Sequence, residues 1–223
     1  MFIGHFAVGF AAKRLAPRAS LGVLMAAPLF ADLLWPTLLV LGFERVEIDP
    51  GNTLVTPLNF VSYPYSHSLM ALVLWGVIVG TIYTMITRAP AAAAVTLALL
   101  VFSHWVLDYI THGPDMPLTM SGPQRLGLGL WNSIAGTIAV EGAMWAVGIW
   151  LYLAPRRATS WLGPVALWSF ILVCTLMWAS GPWSPLPATE RAIGWFALIG
   201  WITIPWSALA DRHYALRPTA TAA

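Results

Sequence analysis

Residues 91–112 read AAAAVTLALLVFSHWVLDYITH, and that stretch decides the fold. Its apolar length matches the roughly 20 residues a helix needs to cross a hydrocarbon core. The ionisable residues in it are ordered rather than scattered: His104, Asp108 and His112 recur every fourth position. At ~100° per residue they fall on one stripe about 80° wide, running along ~12 Å of helix axis. A carboxylate inside a span costs at least ~2.5 kcal/mol on insertion scales, so the stripe must face polar groups, a cavity or a cation rather than lipid. One helix cannot shelter it, and a bundle is predicted.

The rest of the chain agrees. Hydrophobic residues make up 59% of the 223 and charged residues only 9%, against roughly 25% charged in a soluble domain. Eleven basic and nine acidic side chains cannot coat a water-soluble fold of this size, so an all-α, polytopic transmembrane bundle is expected. Six apolar runs are long enough to span: Ser20 to Gly42, Ser66 to Thr87, Ala91 to Thr111, Leu128 to Leu153, Trp161 to Ser180 and Ala192 to Ala210. Phe2 to Leu15 is shorter and reads as a half-helix or an interfacial helix. Pro28, Pro36 and Pro205 fall inside predicted spans, where neighbours or water must satisfy the backbone groups that proline frees. The alternation of barrel strands is missing. With no internal repeat, residues 1–216 are expected to form a single integral membrane domain, followed by a short disordered tail over 217–223.

Charge sets the orientation. Lys13, Arg14, Arg18, Arg88, Arg156, Arg157, Arg212 and Arg217 would share one side of the membrane, and Arg45, Arg125 and Arg191 the other. The excess of basic residues on cytoplasmic flanks then places both termini in the cytoplasm. The net charge of +2 has no basic run behind it, which argues against nucleic acid and leaves membrane lipids as the expected partners. Cys174 sits alone in an apolar run and is expected to pack there.

The chemistry must come from the polar residues that lipid makes expensive. Counted along the predicted spans, Asp32, His67, His104, Asp108 and His112 converge on one outer level, and His5 joins them if Lys13 anchors the inner end of the short segment. Imidazoles and carboxylates suit a divalent metal, zinc first among the candidates. Asp108, between two imidazoles, is placed to bridge a pair of ions, whereas His104 and His112 are too far apart on a straight helix to share one. His67, His104, Asp108, His112, His5 and Asp32 are therefore the candidate ligands of one or two ions. Asp32 and Glu141 are the candidate catalytic bases, and Asn132 and Ser133 the candidate substrate contacts. Asp115, after Gly113-Pro114, reads as a turn residue.

The order of Gly4-His5-Phe6, Asp32 after an apolar run, Ser66-His67-Ser68, and His104 with Leu107-Asp108 and His112 resembles the LexA-binding, inner-membrane-associated metal-dependent hydrolases of bacteria, over roughly Met1 to Pro117. The resemblance implies a polytopic inner-membrane protein whose His and Asp residues bind metal for hydrolysis. The expected function is then hydrolysis of an ester in a lipid or lipid-linked substrate. Two other classes use the same residues. One is a small transporter relaying protons or cations, with helices broken near Pro28, Pro36 and Gly129. The other is a non-catalytic scaffold whose polar cluster holds helices together.

Overall fold

The computed structural model describes residues 1–218. The short N-terminal segment forms α1 (Ile3–Ala12), and eight of its ten residues are buried. That rules out an interfacial helix, which would keep one face in water. Phe6 and Phe10 instead meet Trp145 and Phe170 in a core with Ile3 and Leu167, ring centroids 5.5 Å apart for both Phe6–Phe170 and Phe10–Trp145. The shortest apolar segment is thus the central one, and longer helices enclose it.

The run from Ser20 to Gly42 is not one span but two helices, α2 (Leu21–Ala26) and α3 (Phe30–Val40). Pro28, which has no N–H to continue the ladder, sits between them. An antiparallel hairpin follows, β1 (Arg45–Ile48) with β2 (Leu58–Ser62), irregular between Arg45 and Glu47; the hydropathy pattern did not predict it. The run expected from Ser66 likewise begins with a separate turn of helix, α4 (Pro64–His67), before Ser68 caps α5 (Leu69–Thr87). Next come α6 (Ala91–Thr111) and a two-residue ladder, β3 (Met116–Pro117) with β4 (Arg125–Leu126). A 3-10 turn, Leu130–Asn132, leads into α7 (Ile134–Leu153). The chain continues through β5 (Arg156–Ala158), α8 (Leu162–Ser180), α9 (Glu190–Ala197) and α10 (Thr203–Arg212), and ends in β6 (Tyr214–Leu216), which pairs with β5.

Among the described residues, five stretches are long and apolar enough to cross a membrane: Leu69–Thr87, Ala91–Thr111, Ile134–Leu153, Leu162–Trp183 and Glu190–Arg212. The protein is a helical membrane protein, and the sixth expected span is the broken α2–α3 pair. Large apolar side chains such as Val77, Ile82 and Ile86 on α5 and Leu172 and Leu176 on α8 are exposed, as a lipid-facing shell requires. α5 and α6 pack through small residues. A Cβ on Gly76 would lie 2.8 Å from the Ala98 carbonyl oxygen and one on Gly80 2.5 Å from that of Ala94, so the helices approach closer than any side chain permits.

One end of the bundle is held by a charged knot. Lys13 Nζ lies 2.5 Å from Asp211 Oδ2, and Asp211 also accepts from the Leu21 N–H and the Tyr152 hydroxyl, each at 3.0 Å. Arg156 lies over the Tyr152 ring, and Arg217 donates to the Arg156 carbonyl. The basic residues near both termini therefore gather at one end, joining α1, α2, α7 and α10. Along α1, Lys13 is roughly 12 Å from His5 at helical rise, which separates this knot from the histidine cluster. Of the tail expected over 217–223, residues 219–223 lie outside the described residues.

Candidate metal centre

α6 carries the stripe, and three other parts of the chain close on it. His104 Nε2 is 3.0 Å from Asp108 Oδ2 and 3.9 Å from Asp32 Oδ1. His67 Nε2 is 3.6 Å from Asp32 Oδ1 and 3.9 Å from Asp108 Oδ2. His112 Nε2 is 3.7 Å from Asp108 Oδ2, and His5 Nε2 is 3.0 Å from Asp108 Oδ1, with its ring stacked on His104 at 4.0 Å. The Met1 amino group also contacts Asp108 Oδ1. All are buried except Asp32, whose side chain is 40% exposed. The centre therefore opens at Asp32.

Among the described residues, two groups have ligand atoms within 4.8 Å of one another and could hold a metal ion: His5, His104 and Asp108, and Asp32, His67 and His104. His112 stands beside them, and of these ligands its Nε2 reaches Asp108. Ligand atoms bonded to one tetrahedral ion at ~2.1 Å lie roughly 3.4 Å apart, and the nitrogen-to-oxygen separations here bracket that value.

The outer nitrogens decide what the inner ones offer. His104 Nδ1 is 2.7 Å from the Pro28 carbonyl, an acceptor only, so Nδ1 carries the hydrogen. His112 Nδ1 donates to Asp115 Oδ1 at 3.1 Å. For His67 the assignment takes one more step. The Ser66 hydroxyl gives its proton to Glu44 Oε2 at 2.6 Å, so Ser66 Oγ can only accept from His67 Nδ1, also at 2.6 Å. In each neutral ring Nε2 is then a lone pair aimed at a carboxylate. Across the 3.0 Å between His104 and Asp108 that contact is repulsive unless a proton or cation lies between them, and His104 Nε2 makes no hydrogen bond. Imidazoles whose far N–H is fixed by a carboxylate, a carbonyl or a hydroxyl are arranged as metal ligands are. The donor set fits a divalent ion.

Several of these supports were not legible in the sequence. Glu44, 1% exposed, accepts from the backbone N–H groups of Tyr65 and Ser66 as well as from the Ser66 hydroxyl, and so holds α4 and His67 together. Nothing local marks it, since its partners are 21 and 22 residues away. Asp115 is more than the turn residue expected: its Oδ1 takes both His112 and the Tyr63 hydroxyl, at 2.9 Å from the latter. Burial, reinforced by the Asp115 carboxylate, holds the Tyr63 phenol well above its ordinary value, so it remains a donor. The break at Pro28 provides the acceptor for His104.

The remaining candidates belong to neither ligand group. Glu141 accepts from the N–H groups of Phe2 (2.8 Å) and Gly4 (3.3 Å), tying α7 to the start of α1 just before His5. Ser133 Oγ caps α7 by accepting from Gly136 N–H at 3.0 Å. Asn132 lines a cleft beside His112, together with Asp115 and Trp131. The strap leading to it crosses the end of α6 closely. Leu128 and Gly129 N–H donate to the carbonyls of Tyr109 and His112, and a Cβ on Gly127 would fall 1.7 Å from the Gly113 oxygen. No protein-family model, curated protein or solved structure matches the chain.

Proposed function

We propose that the protein is a membrane-embedded, divalent-metal-dependent hydrolase acting on an ester of a lipid or lipid-linked substrate, of the LexA-binding, inner-membrane-associated kind that its N-terminal half resembles. The observation that carries this is the convergence of the Nε2 lone pairs of His67, His104 and His112 on Asp32 and Asp108, each ring fixed from behind. His5, His67, His104, Asp32 and Asp108 would hold the ion, with His112 beside Asp108 Oδ2. Zinc suits these nitrogen and oxygen donors. A divalent ion would supply the positive charge that polarises an ester oxygen and acidifies a water.

The chain's own groups do the rest. Asp32, the one partly exposed member of the six, is the carboxylate placed to exchange a proton at the open face. Glu141 is occupied by two backbone donors and serves to position α1 and His5. Phe60, Tyr63 and Trp131 surround the His112 ring and hold it in place. In the cell, the basic end of the bundle would face the cytoplasm of a bacterium, both termini with it, and the centre would open toward the outer leaflet.

Purified protein tests this in two measurements. Elemental analysis should find a divalent metal at stoichiometric level in the wild type and lose it in His104→Ala. Phospholipids, lipid phosphates and acyl esters offered to the loaded protein should reveal chelator-sensitive hydrolysis that Asp32→Asn and Asp108→Ala abolish. Bound metal with no hydrolysis on any substrate would favour a scaffold, and no bound metal a proton or cation relay.

A further inference from the structure

Beside His112 lies a cleft of about 190 Å³ whose walls include Thr53, Asn59, Phe60, Asp115, Trp131 and Asn132. At roughly 30 Å³ per water it has room for about six waters, enough for one small polar group and too little for an acyl chain. Its lining is unlike the rest of the protein. Among the described residues no lysine or arginine lines it, and Asp115 is the one ionisable wall residue. Asp115 Oδ1 is committed to Tyr63 and His112, while Oδ2 has no hydrogen-bond partner among the described residues. The side-chain amides of Asn59 and Asn132 are likewise free of protein partners among those residues. The β1–β2 loop closes the cleft from above, where Leu54 N–H donates to the Trp131 carbonyl at 3.1 Å.

We propose that this cleft is the headgroup subsite of the hydrolase, and that it takes an uncharged polyhydroxyl group, a glycerol or a single sugar, carried by the lipid substrate. Two free amides, each able to donate and accept, and a free carboxylate oxygen match hydroxyls that both donate and accept. An anionic phosphate is disfavoured, because it would enter beside Asp115 with no cation to offset it. Phe60 and Trp131 add flat apolar walls against which the carbon face of a polyol can lie. They also flank the His112 ring, with centroids 4.9 and 4.3 Å from it, so a headgroup held here sits next to the metal centre. The assignment rests on the hydrolase function proposed above, whereas the binding it predicts does not require the ion.

Headgroup binding can therefore be measured on chelator-treated protein, purified in a detergent without a sugar headgroup. Dihexanoyl lipids bearing glucose, phosphoglycerol, phosphocholine or a bare phosphate serve as probes in calorimetric titrations. The glucosyl and phosphoglycerol lipids should bind at least about ten-fold tighter than the other two, and Asn132→Ala and Asn59→Ala should each weaken them roughly three- to ten-fold. Metal content, read in parallel on untreated protein, should not change in either variant. Equal or tighter binding of phosphocholine would make the cleft an aromatic cage for an ammonium, and equal binding of bare phosphate would make it an anion site; either overturns the proposal. So does a polyol preference that survives both asparagine substitutions. Polyol-selective binding by a chain without metal or hydrolysis would instead sink the hydrolase and leave the subsite standing.

Discussion

Replacing Glu44 by Gln changes one atom of the buried support and should reverse the tautomer of His67. Glu44 Oε1 accepts from the Tyr65 and Ser66 N–H groups at 2.8 and 2.9 Å, and Oε2 accepts the Ser66 hydroxyl at 2.6 Å. Glutamine keeps one acceptor oxygen, which the two backbone donors claim, and presents an NH2 where Oε2 stood. The Ser66 oxygen must then accept from that amide, and its own proton turns to His67 Nδ1, 2.6 Å away. In the neutral ring the hydrogen moves to Nε2, which no longer points a lone pair at Asp32 and Asp108. Loss of the hydrogen bond that orients a ligating imidazole costs about 10- to 100-fold in metal affinity, or about 1.4 to 2.7 kcal/mol. Competition with a chelator of known zinc affinity measures the first effect, and nitrogen-15 spectra of histidine-labelled protein read the tautomer. The fold should survive Glu44→Gln. Glu44→Ala, which strands two buried donors of Ser66 at about 1 to 3 kcal/mol each and the half-buried Tyr65 N–H, should melt at lower temperature. Wild-type zinc affinity in Glu44→Gln, or an unchanged His67 tautomer, would refute the reasoning.

Three further outcomes are expected. Gly80→Leu forces a side chain where even a Cβ would meet the Ala94 carbonyl at 2.5 Å; it should destabilise the α5–α6 pair by about 1 to 3 kcal/mol or more, seen as a lower melting temperature in detergent. Lys13→Met leaves the buried Asp211 carboxylate without its cation, with side-chain exposures of 7% and 11% in the pair. A loss of about 3 to 5 kcal/mol is expected, partly recovered in Lys13→Met/Asp211→Asn, which removes the stranded charge and keeps one acceptor oxygen for Leu21 or Tyr152, and a double mutant no more stable than the single one would contradict it. Cysteines placed at Thr53 and Ser184 should react with impermeant reagents from outside intact cells, while Cys174, 4% exposed, stays silent; labelling only after cell lysis would reverse the orientation.

The stripe of His104, Asp108 and His112 was legible because a helix turns a spacing of four into a shared face, whatever surrounds it. Depth counting along the spans pointed to the same level for Asp32 and His67, and the structure brings their side chains within 4 Å of each other. The counting worked because helical rise is constant. It gave no warning that the first run would break at Pro28, since proline inside a span can kink, end or merely bend a helix according to its neighbours. The hairpin of β1 and β2 was missed for a related reason: its stability comes from pairing across a nine-residue loop (residues 49–57) and from covering the site, not from a strongly alternating pattern.

Membrane residence, helical class and the position of the costly polar residues were determined by the sequence alone, because hydropathy and helical period are local properties. Which nitrogen of each histidine faces the centre was decided only by the tertiary structure. That choice depends on acceptors brought from 76 residues away for His104, and for His67 on the adjacent Ser66, whose hydroxyl is in turn claimed by Glu44 22 residues before it. A buried N–H must find a partner, and only the packed chain shows which one is within reach.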